Sequence, residues 1–577
     1  MSKKLLPPLL VVIGLLSACQ VALPPLQSTT KPAALVTDPA PTEPTVVSSD
    51  AAPQPGLVMG WVQDENGPLA GATVRQKTSG DFTLTDQEGY FELENLSEDR
   101  PQTITAWSEG YFVGWADLTP DQTGPLTITL KPYYTSDNHE YNWFSTEGAD
   151  GSASCAHCMP CYTEWIGDAH SSSATNPRFL SMYNGTDLAG NQSPLTRFTS
   201  SSDYGFIPLA PNPNEAYYGP GYKLDFPDTA GNCAACHLPA QAAHPGLAYG
   251  GDPNLAQGIE QEGVFCEFCH KIGAVALDPK SQLPYPYMPG VLSLQLYRPS
   301  GEDQLFFGNF DDVTRRVSKL PLESESAFCA ACHYGIFWDV VIYNSYGEWL
   351  ESPYSDPVSG QTCQDCHMQP VDYDYFVYPD QGGEIRDRKG IFSHYMPGAA
   401  DPEFLAKAAR LESSARMEEG RLIVDVTVSN HNTGHKLPTD SPLRQVLLVV
   451  EALDENGTKL PLVEGPVIPA WGGEDGSRQD GYYAGLPGRG YALVLRELWT
   501  NISPTGAYWN PVVVEQDTRL SPFQEDRSQY IFQADQEGRI EIRINLLYRR
   551  AFKTLMDQKG WNDPDILMSE QLITLGS

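Results

Sequence analysis

Hydrophobic and polar positions alternate in two stretches of this chain and lose any period between them. The first stretch begins with Val58-Met-Gly-Trp-Val-Gln63 and turns at Asp64-Glu-Asn-Gly67. Pro68 to Val74 starts a second strand. Phe82–Thr85 and Tyr90–Leu93, around Asp86–Gly89, read as a hairpin, and Ile104–Trp107 and Leu126–Leu130 complete a small all-β unit. The second stretch runs through Arg421–Val428, Arg444–Leu453 with its turn Asp454–Gly457, Tyr530–Phe532 and Arg539–Asn545. Strands punctuated by such turns predict a sandwich. Apolar spacing predicts helices at Phe404–Glu412, Trp338–Trp349 and Arg549–Gly560. Residues 171 to 232 show almost no period and are rich in loop signals.

The first 55 residues follow neither pattern. Lys3 and Lys4 precede an apolar run from Leu5 to Leu16, too short to span a bilayer. Leu16-Ser17-Ala18-Cys19 resembles the bacterial lipobox, in which the cysteine is acylated and becomes the mature N-terminus. Residues 1–19 are therefore expected to be a lipoprotein signal peptide, with an ordinary cleaved signal as the plainer alternative. Residues 20–55 are dominated by Pro, Thr, Ala, Ser and Val. Such a linker is extended, with a reach on the order of 100 Å. Gln20 carries no retention-type Asp, which by analogy with lipoprotein sorting points to an outer membrane or cell surface.

The aperiodic centre holds a repeated device instead. Cys-x-x-Cys-His occurs at Cys233/Cys236/His237, Cys266/Cys269/His270, Cys329/Cys332/His333 and Cys363/Cys366/His367. This is the attachment motif of c-type haem. Two cysteines at this spacing reach the two vinyl groups of one porphyrin, and the histidine lies under the iron as proximal ligand. Short helices are expected to carry the motifs, most clearly at Ala327-Phe-Cys329-Ala-Ala-Cys332. Zinc is the competing use of Cys-x-x-Cys pairs, but four adjacent histidines disfavour it.

A fifth slot is irregular. Cys155-Ala-His-Cys158 is followed by Met159 where the proximal histidine would stand, with an extra Cys161 and then Tyr162-Thr-Glu-Trp165-Ile-Gly-Asp-Ala-His170. Three readings stay open: a haem on Cys155 and Cys158 with Met159 or another residue as ligand; a lost haem whose cysteines pair as a disulfide; and a metal site from the three thiols and His157. The cofactor count is thus four haems c, or five.

Each motif supplies one axial ligand, and a low-spin carrier needs a second. Eleven histidines less four proximal ones leave seven. The candidates for distal ligands are His170, His394 in Phe392-Ser-His-Tyr-Met-Pro-Gly398, His435 in Gly434-His-Lys-Leu-Pro-Thr439, and His244. His139 is weaker, and His431 weaker still.

Taken together, Gly263-Val-Phe-Cys-Glu-Phe-Cys-His-Lys-Ile272, Cys363-Gln-Asp-Cys-His-Met368 and the Gly434–Thr439 loop resemble a multihaem c-type cytochrome family related to those of the nitrogen cycle. The resemblance spans roughly residues 137 to 577. Separately, the order G-x-V, then P-L-A-G-A-x-V, then T-D-x-x-G-x-F resembles the carboxypeptidase regulatory-like domain, a transthyretin-like β-sandwich that serves as an accessory or spacer. The expected layout is mainly β and multidomain. A β-sandwich at 57–131 is followed by a haem-packed region of loops and short helices at 133–403. A C-terminal β domain at 404–577 supplies a distal ligand.

The net charge of −36 argues against nucleic acid, whose phosphates need a basic face. It permits docking to basic redox partners or other cytochromes by steering; self-association is a further option. The leader and the resemblance together imply an exported, lipid-anchored electron carrier with closely packed bis-histidine haems. The alternative is an oxidoreductase acting on a small nitrogen or sulfur compound at a haem with an open position, for which the sequence names no catalytic residues.

Overall fold

The computed structural model describes residues 56–576 apart from 120–123, 144, 147–148, 245, 247–249, 301–303, 315–316 and 535–537. Cys19 and the linker of residues 20–55 lie outside the described residues. No helix among the described residues is long and apolar enough to cross a membrane.

The first unit is two facing sheets. In one, Val58–Asp64 is central, antiparallel to Tyr90–Leu93 and parallel to Leu126–Thr129. In the other, Thr73–Gln76 and Thr103–Trp107 are central, flanked by Thr83–Leu84 and Gly114–Asp117. Val62, Val74, Phe91, Ile104 and Ile128 are fully or almost fully buried between them. The expected hairpin at 82–93 does not form. Thr83–Leu84 pairs with Thr73–Val74, whereas Tyr90–Leu93 pairs with the opposite sheet. Asp86 caps the turn between them, accepting from the N–H groups of Glu88 and Tyr90, so that the turn carries the chain across the sandwich.

The C-terminal unit has the same architecture at larger scale. Its four-stranded sheet orders Ala409–Glu418, Arg421–Asn430, Glu525–Gln533 and Leu462–Glu464. The five-stranded sheet orders Val512–Asp517, Gly488–Glu497, Gln445–Leu453, Ile540–Arg549 and Ile566–Leu575. Gln445–Leu453 is buried on both faces. Val446, Leu448 and Val450 face the four-stranded sheet; Leu447 and Val449 pack on Ile468, Trp471 and Phe552. That is why this strand reads as a continuous apolar run. The helix expected at Phe404–Glu412 is Pro402–Ala408 and ends early, because Ala409–Glu418 is drawn into a full ten-residue ladder with Arg421–Asn430. The last helix, Lys553–Lys559, stops at the left-handed Gly560.

Between the two sandwiches the elements are short. They are two-stranded ribbons such as Ile272–Val275 with Leu294–Leu296, and helices of four to eight residues. The expected helix at Trp338–Trp349 is instead a hairpin followed by one. Gly335–Phe337 pairs with Val340–Tyr343 across Trp338 and Asp339, both at positive φ, and the helix is confined to Ser345–Leu350. The Trp338 indole N–H donates to the Trp509 carbonyl at 2.9 Å, which ties the hairpin tip to the C-terminal unit.

Polar contacts join all three parts. Arg75 pairs with Asp311, the Trp107 indole donates to Ser318, and Arg519 pairs with buried Glu348.

Candidate metal centres

Three of the four Cys-x-x-Cys-His motifs lie on single-turn helices: Ala234–His237, Cys266–Cys269 and Cys363–His367. Thr362 caps the last through a reciprocal bond with Asp365. The fourth departs from expectation: Cys329 ends a 3-10 turn and the rest of its motif is an irregular turn. Even so, the histidine N–H bonds back to the first cysteine's carbonyl at 3.1–3.2 Å in the motifs at 233, 266 and 329. An i to i−4 bond puts the histidine and the first cysteine on one side of the turn. Gly290, at positive φ, lies so close to the motif at 233 that a Cβ would stand 2.0 Å from the Ala235 carbonyl oxygen.

The irregular slot breaks this geometry. As in the motifs at 233 and 329, the second cysteine's N–H bonds to the first cysteine's carbonyl, but here a new helix, Met159–Ile166, begins at the next residue. Cys161, Tyr162 and Trp165 form its inner face, with the capping Cys158 on the same side. Met159 and Ile166 lie on the outer face, with Met159 41% exposed. Met159 therefore points away from the position of an axial ligand, contrary to the reading that made it one. No disulfide joins the described cysteines, and no cluster of three or more His, Cys, Asp or Glu among the described residues is arranged to hold a metal ion.

All eleven described cysteines line one cavity of about 2030 Å³. A pocket for one small ligand holds about 300–1,000 Å³, so this cavity is built for several groups. Its cysteines meet across motifs. The Cys155 thiol contacts Cys266, Cys236 contacts Cys332, and Cys329 contacts Cys363. Cys269 also lies within electrostatic reach of Cys332. The motif at 329 is thus the junction of the set.

The histidines are paired with equal regularity. His170 faces His333 with ring centroids 6.3 Å apart, His270 faces His394 at 6.3 Å, and His367 faces His435 at 6.4 Å. A metal–imidazole bond of about 2 Å plus about 1.2 Å from nitrogen to ring centre, taken twice, gives about 6.4 Å. Each pair therefore stands at the separation of two imidazoles sharing one metal from opposite sides. In every pair one member belongs to a motif and the other comes from a distant segment. The cavity and the donor set fit haem.

Partners at the outer nitrogen, Nδ1, orient these rings. His170 Nδ1 meets Asp168 at 2.6 Å, His270 the Phe307 carbonyl at 2.6 Å, His367 the Pro397 carbonyl at 2.8 Å and His435 the Lys436 carbonyl at 3.0 Å. Asp440 stands 3.8 Å from His333 Nδ1 and Glu323 3.5 Å from His270 Nδ1. Burial pushes His394 and His435 down to about 4, which keeps both imidazoles neutral, the form that binds metal. For His270 and His333, burial is outweighed by Glu323 and Asp440, which raise them to about 9.

Three of the candidate distal ligands are not brought in. His244 is exposed and outside the cavity lining, its Nδ1 accepting from the Gly246 N–H at 3.3 Å. The short helix Pro239–Ala242 turns it outward. His139 is 61% exposed beside Asp137 and Arg298, and His431 is exposed. His237 is left without an imidazole partner.

A solved penta-heme cytochrome c552 from Thermochromatium tepidum is similar, with a TM-score of 0.49 and 17% identity over 73% of this chain and 97% of that chain. No family model matches, and neither does any curated protein. A likeness this distant adds nothing to the geometry.

Sequence reasoning missed Asp168, Asp440 and Glu323, which hold or face the ring nitrogens. The first two were within sight, two residues before His170 and directly after the Gly434–Thr439 loop. Glu323 has no sequence signal. Glu348 was missed as well: buried in the helix Ser345–Leu350, it accepts from Thr439 at 2.6 Å and the Lys436 N–H at 3.1 Å, fixing the loop that carries His435.

Proposed function

We propose that this protein is a multihaem c-type cytochrome that carries electrons. Four haems are held at Cys233/Cys236, Cys266/Cys269, Cys329/Cys332 and Cys363/Cys366, with His237, His270, His333 and His367 as proximal ligands. The observation that carries the reading is the set of three histidine pairs at 6.3–6.4 Å. It supports His170, His394 and His435 as the distal ligands of the haems at 329, 266 and 363 respectively. Two imidazoles per iron leave no position for substrate and favour outer-sphere electron transfer. The thiol contacts between motifs support closely spaced haem edges, with the haem at 329 as junction. Cys155 and Cys158 line the cavity and remain a candidate fifth attachment point, without Met159 as ligand.

The remainder of the proposal concerns placement. Export and acylation at Cys19 would anchor the chain to an outer membrane or cell surface, with the linker and the N-terminal sandwich as spacers. Acidic charge would favour basic redox proteins as partners, with other copies or cytochromes as alternatives.

Mass measurement of the purified chain should give four covalent haems. Electron paramagnetic resonance of His435→Ala should turn one low-spin haem high-spin and leave the other two bis-histidine haems unchanged. A spectrum untouched by that substitution would remove His435 from the ligand set.

An oxidoreductase remains the second reading. What favours it is the motif at 233, whose histidine has no partner.

A further inference from the structure

The three histidine pairs differ in what meets their outer nitrogens. In the pair at 363 both rings end on backbone carbonyls, Pro397 for His367 and Lys436 for His435. In the pair at 266 one ring faces a carboxylate. Glu323 stands 3.5 Å from His270 Nδ1, while Glu164 takes the His394 backbone N–H and not its ring. In the pair at 329 both rings face one. Asp168 meets His170 Nδ1 at 2.6 Å, and Asp440 stands 3.8 Å from His333 Nδ1. The motif at 233, whose His237 stacks on Phe179 at 4.0 Å between centroids, stands outside this comparison.

The carboxylates are not neutralised alike. The Asp168 side chain is 1% exposed and accepts from the backbone N–H groups of His170 and Met396, both at 2.9 Å, as well as from the ring. Among the described residues, no lysine or arginine forms an ion pair with Asp168 or Glu323; each faces only its histidine. Asp440 is offset by Arg444, 3.8 Å from its Oδ2, yet its Oδ1, the oxygen nearest His333, is buried without a hydrogen-bond partner.

An imidazole that binds a metal through Nε2 carries its proton on Nδ1 and donates it. A carboxylate acceptor draws that proton closer and makes the ring a stronger donor to the metal. It also places a full negative charge nearby in a medium of low dielectric. Both effects favour the ferric state, because reduction removes one positive charge from the centre. A neutral carbonyl exerts the first effect weakly and brings no charge.

We propose that Asp168, together with Asp440, makes the haem at 329 the hardest of the three bis-histidine haems to reduce, followed by the haem at 266 and then the haem at 363. The inference rests on the haem reading above. Asp168 acts through His170 and is a positioning residue. The motif at 329 is also the junction, since its cysteines meet those of the other three motifs. An electron therefore crosses the junction rather than resting there, and settles at 363 in preference to 266 or 329.

A redox titration of the purified holoprotein, followed by electron paramagnetic resonance, should show this order. Each low-spin signal is assigned by its loss in His170→Ala, His394→Ala or His435→Ala. Asp168→Asn keeps the side chain's shape and an acceptor oxygen, so the haem count and the low-spin signals should not change. It should make the haem at 329 about tenfold easier to reduce, the difference between a charged and a neutral hydrogen bond, or 59 mV for one electron. The other two haems should move much less. Glu323→Gln should do the same for the haem at 266 alone, and serves if Asp168→Asn does not fold. A haem at 329 that reduces before either of the others would overturn the order. No shift in Asp168→Asn, or an equal shift at all three haems, would overturn the role of Asp168. A His170→Ala chain that keeps every low-spin haem would instead bring down the pairing on which the proposal rests.

Discussion

The C-terminal sandwich and the central region solve the same problem with different material. In the sandwich, side chains fill the interior: Val446, Leu448 and Val450 meet Val424, Tyr530, Phe532 and Ile544, all fully or nearly fully buried. The central region keeps a cavity of about 2030 Å³, with cysteines and histidines on its walls and only small apolar clusters behind them. Aliphatic packing imposes a repeat of two along strands. A prosthetic group imposes no repeat, because its ligands need only meet in space. The contrast explains why one region is periodic in sequence and the other is not.

The largest test of this contrast is to withhold haem. The chain made without haem attachment should lose hydrogen-exchange protection from about residue 151 to 400 and retain it in the strands from Ala409 to Leu575. Protection lost evenly across both regions would mean that the sandwich does not stand on its own core. Next in size, Leu448→Ala opens a void between the two C-terminal sheets. It should cost about 2–5 kcal/mol in denaturant unfolding of that unit with the haem count unchanged. A loss of haem together with stability would show the regions to be energetically one.

The smallest effect sharpens the seam between them. Asp517 binds Arg519 and Lys436, and Arg519 reaches Glu348 in the central region. Burial opposes ionisation of Asp517, but the two cations win and hold it at about 2, against 3.8 for the free group. A carboxylate depressed on folding stabilises above its unfolded value and loses that contribution as the pH falls. The stabilisation should therefore be complete above about pH 4 and vanish towards pH 2, for a total of about 2 kcal/mol. Asp517→Asn should flatten this part of the acid-unfolding curve. An unchanged slope would place the acid sensitivity elsewhere.

Legibility followed the same division. The four Cys-x-x-Cys-His motifs could be read directly, since attachment to one porphyrin is a matter of five consecutive residues. The strands from Arg421, Gln445 and Ile540 were legible from alternation or from an unbroken apolar run. Errors came where neighbours in space overrode neighbours in sequence. Ala409 to Glu412 continues a helical pattern but is captured by a strand partner. Phe82–Thr85 and Tyr90–Leu93 look like a hairpin but belong to opposite sheets. His244, seven residues after a motif histidine, looked available and is turned outward, whereas His170 faces the histidine of a motif more than 160 residues away.

By itself the sequence determined the chemistry: which cysteines could hold a porphyrin, which histidines could ligate, and that the flanks are β-structured. These are properties of short segments, set by spacing and residue type. Only the tertiary structure decided how they combine: His170 with His333, His394 with His270, His435 with His367, and His237 with Phe179. Such pairing is a distance between segments far apart in the chain, and no local pattern encodes it.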